Sequence, residues 1–320
     1  MKTLKVDYPF IIITCLLICI GLVALSSASS YIGLYKYNNV NFFLFRQLVF
    51  AVLGIIAMYI ISKIDYTKYL KLSYLGFFVS ILLMLAVLVP GIGVTRNGAT
   101  RWLGVGDFTF QPSEILKIVL VLVTSTYLAN RVKKLNNMKY VIMPVIFLGI
   151  TGITMYLQDH LSGTIVMIVG SLSVIFASGI KLNYKYIALA FIILLIAGGV
   201  FVFSDEYRLN RIMGFLNPEA DTQGVNWQSS QSLYAIGTGG IFGLGLGQSR
   251  QKYLWLPEAQ NDFIFAIWAE EFGVIGSLLV IALFAFFIYR GYYIALTSKD
   301  IYGAMIATRN NLHICCANNS

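Results

Sequence analysis

The chain is predicted to be an all-α integral membrane protein, a polytopic bundle of about eight transmembrane helices. Three observations carry this. Hydrophobic residues make up 58% of its 320 positions and charged residues only 12%. Mean hydropathy is +0.78, more apolar surface than a water-soluble core needs. Apolar runs recur at 9–29, 47–62, 72–90, 112–130, 140–157, 164–180, 186–204 and 263–289. Most approach the roughly 20 residues that cross a bilayer core.

The first run is read as a signal anchor, because SSASS and aromatic residues follow it in place of a cleavage site. Cys15 and Cys19 sit inside it as small apolar residues. Cys315 and Cys316 are adjacent, which makes neither a disulfide framework nor a metal site. Short connections alternate with long ones at 30–46, 91–111 and 205–262. The short connections gather the basic residues, among them Lys63, Lys68, Lys71, Arg131, Lys133, Lys134, Lys139, Lys181 and Lys185. Basic residues mark the cytoplasmic side. The N-terminus is therefore expected inside, with the long loops and Asp262 outside. The net charge of +9 is a topology signal, and no nucleic-acid partner is expected. One membrane domain is assigned to residues 1–308, and 309–320 form a polar tail at odds with the rest.

The stretch LPEAQNDFIFAIWAEE, 256–271, concentrates the chemistry. Asp262 stands where a polar loop meets an apolar run. A lone acid at a membrane edge has a raised pKa and suits a general base. Glu270 and Glu271 follow; on a continuous helix they would lie about 80° from Asp262 and nearly opposite it, so at least one is expected to pair with another helix.

Glu114 and Lys117, at i and i+3 in the fourth run, share a helix face as an ion pair or a substrate-lining pair. Pro112 fits a first helical turn. Arg101 suits a phosphate or a lipid headgroup, Arg208 and Arg211 pose the same choice, and Trp102 reads as an interface anchor. Gln158, Asp159 and His160 form a short polar turn, read as solvated or as an acid–base pair. The glycine-rich run 236–249 has no strand before it, which excludes a nucleotide loop; its glycines allow tight turns, and Gln251 and Lys252 follow.

Three segments, GATRWLGVGDFTFQPSEILK, NWQSSQSLYAIGTGGIFGLGLGQSRQK and LPEAQNDFIFAIWAEEFGVIG, together resemble the SEDS family of FtsW, RodA and SpoVE. The likeness runs from residue 1 to about 308 and is greatest to the FtsW/SpoVE branch of spore-forming Gram-positive bacteria. It implies a peptidoglycan glycosyltransferase that polymerises lipid II at the outer face of the cytoplasmic membrane. It also implies a class B penicillin-binding transpeptidase as partner, with other divisome or elongation-complex membrane proteins. By resemblance Asp262 is catalytic, and Glu114, Lys117, Arg101, Gln251 and Lys252 line the substrate site. Basic groups, Arg208 and Arg211 included, would face the diphosphate, and a divalent cation, magnesium or manganese, is the candidate cofactor. The chain departs from the family at QDHLSGT, where His160 takes the usual acid position. It also lacks the last two of the family's ten helices, which reads as truncation or frameshift. A lipid II flippase and a non-catalytic scaffold of the division or cortex machinery are the competing classes.

Overall fold

The computed structural model describes residues 7–65, 67–96, 99–105, 108–131, 138–158, 160–178 and 226–297, with single positions 199, 203, 209 and 213. The expected seventh span, Arg208, Arg211, Asp159 and the polar tail lie outside the described residues, apart from positions 199 and 203 of that span. The chain divides into two compact units, Met1–Ile60 with Asn183–Phe286 and Ile61–Leu182 with Phe287–Ser320.

In the first unit, α1 (Tyr8–Tyr37) starts where the Asp7 carboxylate accepts the Phe10 N–H at 3.0 Å. It outruns its predicted end and stops at Asn38, which takes a left-handed cap with φ 51°. Helix α2 (Phe42–Ser62) is strongly apolar yet buries no residue within the protein. A helix that is hydrophobic all round and unburied faces lipid.

The second unit is built on α4 (Pro112–Ala129), with α3 (Thr67–Ala86), α5 (Ile142–Tyr156) and α6 (Leu161–Ala177) packed on it. Phe77, Met84, Leu116, Leu120, Val123, Met155 and Met167 form its core. Two hydroxyls inside the bundle are paired within it: Thr124 donates to the Leu120 carbonyl, and Ser73 of α3 bonds Thr126 of α4 at 3.1 Å.

Six described helices are long and apolar enough to cross a membrane: α1 to α4, α5 taken with the helical turn before it as Lys139–Tyr156, and α8 (Ile264–Thr297); α6 is a shorter apolar helix. The all-α architecture stands, with one addition. The loop 91–111 folds as a three-stranded antiparallel sheet, β1 (Gly93–Arg96), β2 (Ala99–Val105) and β3 (Phe108–Phe110). Between the first two strands the sequence reads Asn-Gly, a dipeptide that favours hairpin turns. The long polar loop also contains a helix, α7 (Trp227–Gly239).

The eighth span is not the continuous helix expected. Gly273 breaks α8 with φ 65° and ψ −164°. The loop after α7 fills the break: Val274 and Ile275 donate to the Gly240 and Ile241 carbonyls, while Leu244 and Gly245 donate to those of Glu270 and Glu271. Backbone groups freed at membrane depth are thus paired within the protein. Gly243, at φ 82°, lies so close that a Cβ there would overlap the Glu271 carbonyl oxygen.

Candidate functional site

In the first unit the site grows from the segment between α7 and α8. Ala28, Ala235, Leu256, Ala259, Ala266 and Ile267 form a core that ties α1, α7, this segment and the head of α8 together. Two carboxylates anchor the segment from α8. Glu270, 1% exposed, accepts the Ser249 hydroxyl and the N–H groups of Arg250 and Gln251 at 3.0 and 3.4 Å. Glu271, 2% exposed, accepts the Ser27 hydroxyl of α1 at 2.6 Å, the Ser249 N–H at 3.2 Å and the Lys252 ammonium at 3.2 Å. Glu271 therefore does pair with another helix.

Lys252 requires a correction. The sequence reading gave it to the substrate, but its ammonium points inward, bonding the Gly247 carbonyl at 2.6 Å and Ser27 at 3.2 Å as well as Glu271. A buried carboxylate needs a compensating charge, and Lys252 supplies it. Gln251 meets Glu270 through its backbone, and its own Oε1 is buried without a partner among the described residues.

Asp262 sits differently. It is exposed, two residues before α8, and no hydrogen-bond donor reaches its carboxylate among the described residues. Desolvation by the surrounding protein, and secondly the charge of Glu258, push its pKa above the usual carboxylate value. Glu258 holds a left-handed backbone, φ 53°, and accepts from the Gln260 and Asn261 side-chain amides at 3.1 and 2.7 Å. A non-glycine residue in this region stores strain of the kind that gathers at functional sites.

The second unit carries the other predicted residues at the shared end of its helices. Glu114 and Lys117 pair at 2.6 Å in the first turns of α4, with Glu114 well exposed. Arg101, on β2, donates from Nε to the Gln158 carbonyl at 3.1 Å. His160 caps α6, its Nδ1 accepting the Gly163 N–H at 3.2 Å. Burial first, then Arg101 and Lys117, lower its pKa to about 4. His160 is therefore neutral near pH 7 and performs the helix-capping task open to an acid at that position. Ser27 and Ser249 escaped the sequence reading, since a serine beside an apolar run gives no sign that it faces a carboxylate. Among the described residues no three His, Cys, Asp or Glu side chains gather to hold a metal, so no step is assigned to a cation.

A multi-pass helical membrane protein, with an exposed acid that meets no donor among the described residues just before a broken helix, is thereby defined. The model of the family described as "Cell cycle protein", FtsW/RodA/SpoVE, matches residues 8–318. "Stage V sporulation protein E" of Bacillus subtilis (strain 168) is 40% identical over 307 residues, covering 96% of this chain and 83% of that protein. A "Probable peptidoglycan glycosyltransferase FtsW" of Trichlorobacter lovleyi is 33% identical over 314 residues, covering 94% and 79%. Among solved structures, a chain reported under "Structural coordination of polymerization and crosslinking by a peptidoglycan synthase complex" superposes with TM-score 0.78 at 24% identity, over 98% of this chain and 84% of that one. Thermus thermophilus RodA superposes with TM-score 0.68 at 22% identity, over 98% and 83%. The chain belongs to the FtsW/RodA/SpoVE family.

Proposed function

We propose that this family member polymerises lipid II into glycan strands, with Asp262 as the general base. Peptidoglycan glycosyl transfer is the activity named for its FtsW relatives, and this chain carries it in cell division or sporulation. The observation that supports the role of Asp262 is its setting: an exposed carboxylate without donors among the described residues, its pKa raised by desolvation and by Glu258. Such an oxygen keeps its lone pairs for a substrate proton.

In the reaction the 4-hydroxyl of one lipid-linked sugar attacks the anomeric carbon of another. A C–O bond forms with inversion, the bond to undecaprenyl diphosphate breaks, and the hydroxyl proton passes to Asp262. Base help of this kind contributes about 10²–10⁴ in rate. By the family resemblance, Arg101, Arg208 and Arg211 are each candidates to meet the diphosphate as it leaves. Glu114 and Lys117 are assigned to substrate positioning. Lys252 is assigned to holding the loop. The basic connections support an N-terminus in the cytoplasm, which puts Asp262 at the outer face. A class B transpeptidase, crosslinking what this chain polymerises, is the partner that fits the reaction.

The test is purified chain in detergent with lipid II. Detergent has no leaflets, so a transporter has nothing to do there. Glycan strands from the wild type and their loss in Asp262→Ala are expected; absence of polymer from a folded wild type would overturn the reading.

A further inference from the structure

The segment between α7 and α8 changes character along its length. Residues 240–247 read Gly-Ile-Phe-Gly-Leu-Gly-Leu-Gly, with no polar side chain. Phe242 is 81% exposed and Ile241 63%. In a loop surrounded by water, such a patch would have no cover; exposed apolar patches mark contact surfaces.

The partners of this stretch along α8 give its depth. Residues 272–289 of α8 carry no charge and lie between Glu271 and Arg290. At about 1.5 Å per residue they extend about 27 Å, close to the roughly 30 Å of a bilayer core. The hydrocarbon edge on the Asp262 side therefore falls near Glu271, with Val274 and Ile275 about 5 Å inside it. The chain leaves α7 at Gly239, which lies against Ala269. It then descends: the Gly240 and Ile241 carbonyls accept the Val274 and Ile275 N–H groups at 3.0 and 3.2 Å. It returns at once, because Leu244 and Gly245 donate to the Glu270 and Glu271 carbonyls at 3.0 and 2.9 Å. The turning point is Ile241–Phe242. Gly243 donates to the Gly239 carbonyl at 2.8 Å, which closes the turn. Irregular backbone is tolerated at this depth where the protein satisfies it, and these bonds do so.

We infer that residues 240–243 form a re-entrant tip that dips into the leaflet on the Asp262 side, with Ile241 and Phe242 among the acyl chains. The occupant of the patch is lipid because the patch continues the exposed apolar face of a membrane-spanning helix: Val274, Ile275, Leu278 and Leu279 of α8 are open beside it. Beyond the tip the chain is bonded to Glu270 and Glu271 through Ser249 and Lys252, and it then runs on to Asp262. The tip thus tethers the Asp262 loop to the bilayer. Its placement does not depend on which reaction Asp262 serves.

The experiment uses the full chain in nanodiscs of phosphatidylglycerol and phosphatidylethanolamine, with the four native cysteines replaced by alanine. A nitroxide is attached through Phe242→Cys, and in separate samples through Ile241→Cys and Leu278→Cys. Its collisions with oxygen and with a water-soluble nickel chelate are read by electron paramagnetic resonance. Oxygen collisions severalfold above those with the chelate are expected at the two tip positions, as at Leu278 in the span. An excess of chelate collisions at the tip overturns the inference and returns the segment to water. Protection from both reagents also overturns it, and leaves the patch covered by protein. Both tip side chains are open, so neither substitution removes core packing, and Ile241→Cys decides the matter if Phe242→Cys fails to fold.

Discussion

Asp262 and the pair Glu270–Glu271 lie within one short stretch of chain, yet they are opposites. The pair is buried and bonded to donors from α1 and from the segment after α7. Asp262 is exposed, has no donor among the described residues, and is pushed toward protonation by desolvation first and by Glu258 second. Charge type alone therefore does not mark the reactive acid. What separates them is whether the fold has already filled the oxygen lone pairs. The bonded pair fixes the loop, and the acid without a donor among the described residues, at the end of that loop, is the one proposed here for chemistry.

The comparison breaks most sharply at Lys252. In Lys252→Met, the buried Glu271 carboxyl loses its cation partner, a loss of about 3–5 kcal/mol. The chain should melt much earlier in detergent, and adding Glu271→Gln should restore most of the loss. A Lys252→Met chain with wild-type melting would show that the cation is dispensable.

His160 sharpens the comparison by pH. Its folded pKa is about 4 against 6.5 unfolded, so the unfolded chain takes up the proton first as pH falls. Stability from His160 is complete above pH 6.5 and is lost between there and about pH 4. The melting temperature should fall across that window. His160→Asn, which keeps a helix cap without a titrating group, should flatten the His160 part of the fall.

The smallest effect is expected from Glu258→Gln. Glutamine keeps an oxygen for Gln260 and Asn261, so stability should hardly change. Removing the charge lowers the Asp262 pKa, and the acid limb of the polymerisation rate should move to lower pH. Because desolvation is the larger cause, the limb should stay above the ordinary carboxylate value. A limb that moves upward would show that Glu258 does not act on the base through its charge.

Much of the fold was legible because bilayer thickness writes itself into run length and hydropathy. Seven of the predicted spans correspond to described helices, six of them long enough to cross a membrane and α6 shorter. The break at Gly273 was not legible, because a glycine inside an apolar run looks the same whether the helix continues or a distant loop replaces its hydrogen bonds. The sheet in loop 91–111 was missed although Asn97-Gly98 signals a hairpin. Asp262 was found because a lone acid at an apolar boundary is a local pattern. The inward turn of Lys252 was not, since it depends on Ser27 and Glu271, far away in sequence.

The most direct test is the initial rate of lipid II polymerisation by Asp262→Asn, measured together with its melting temperature. Asparagine keeps the size of the side chain and removes the base. The rate should fall by about 10²–10⁴ while melting matches the wild type, because no hydrogen bond among the described residues depends on this carboxylate. A folded Asp262→Asn chain that polymerises at the wild-type rate would contradict the assignment of the unfilled acid to catalysis.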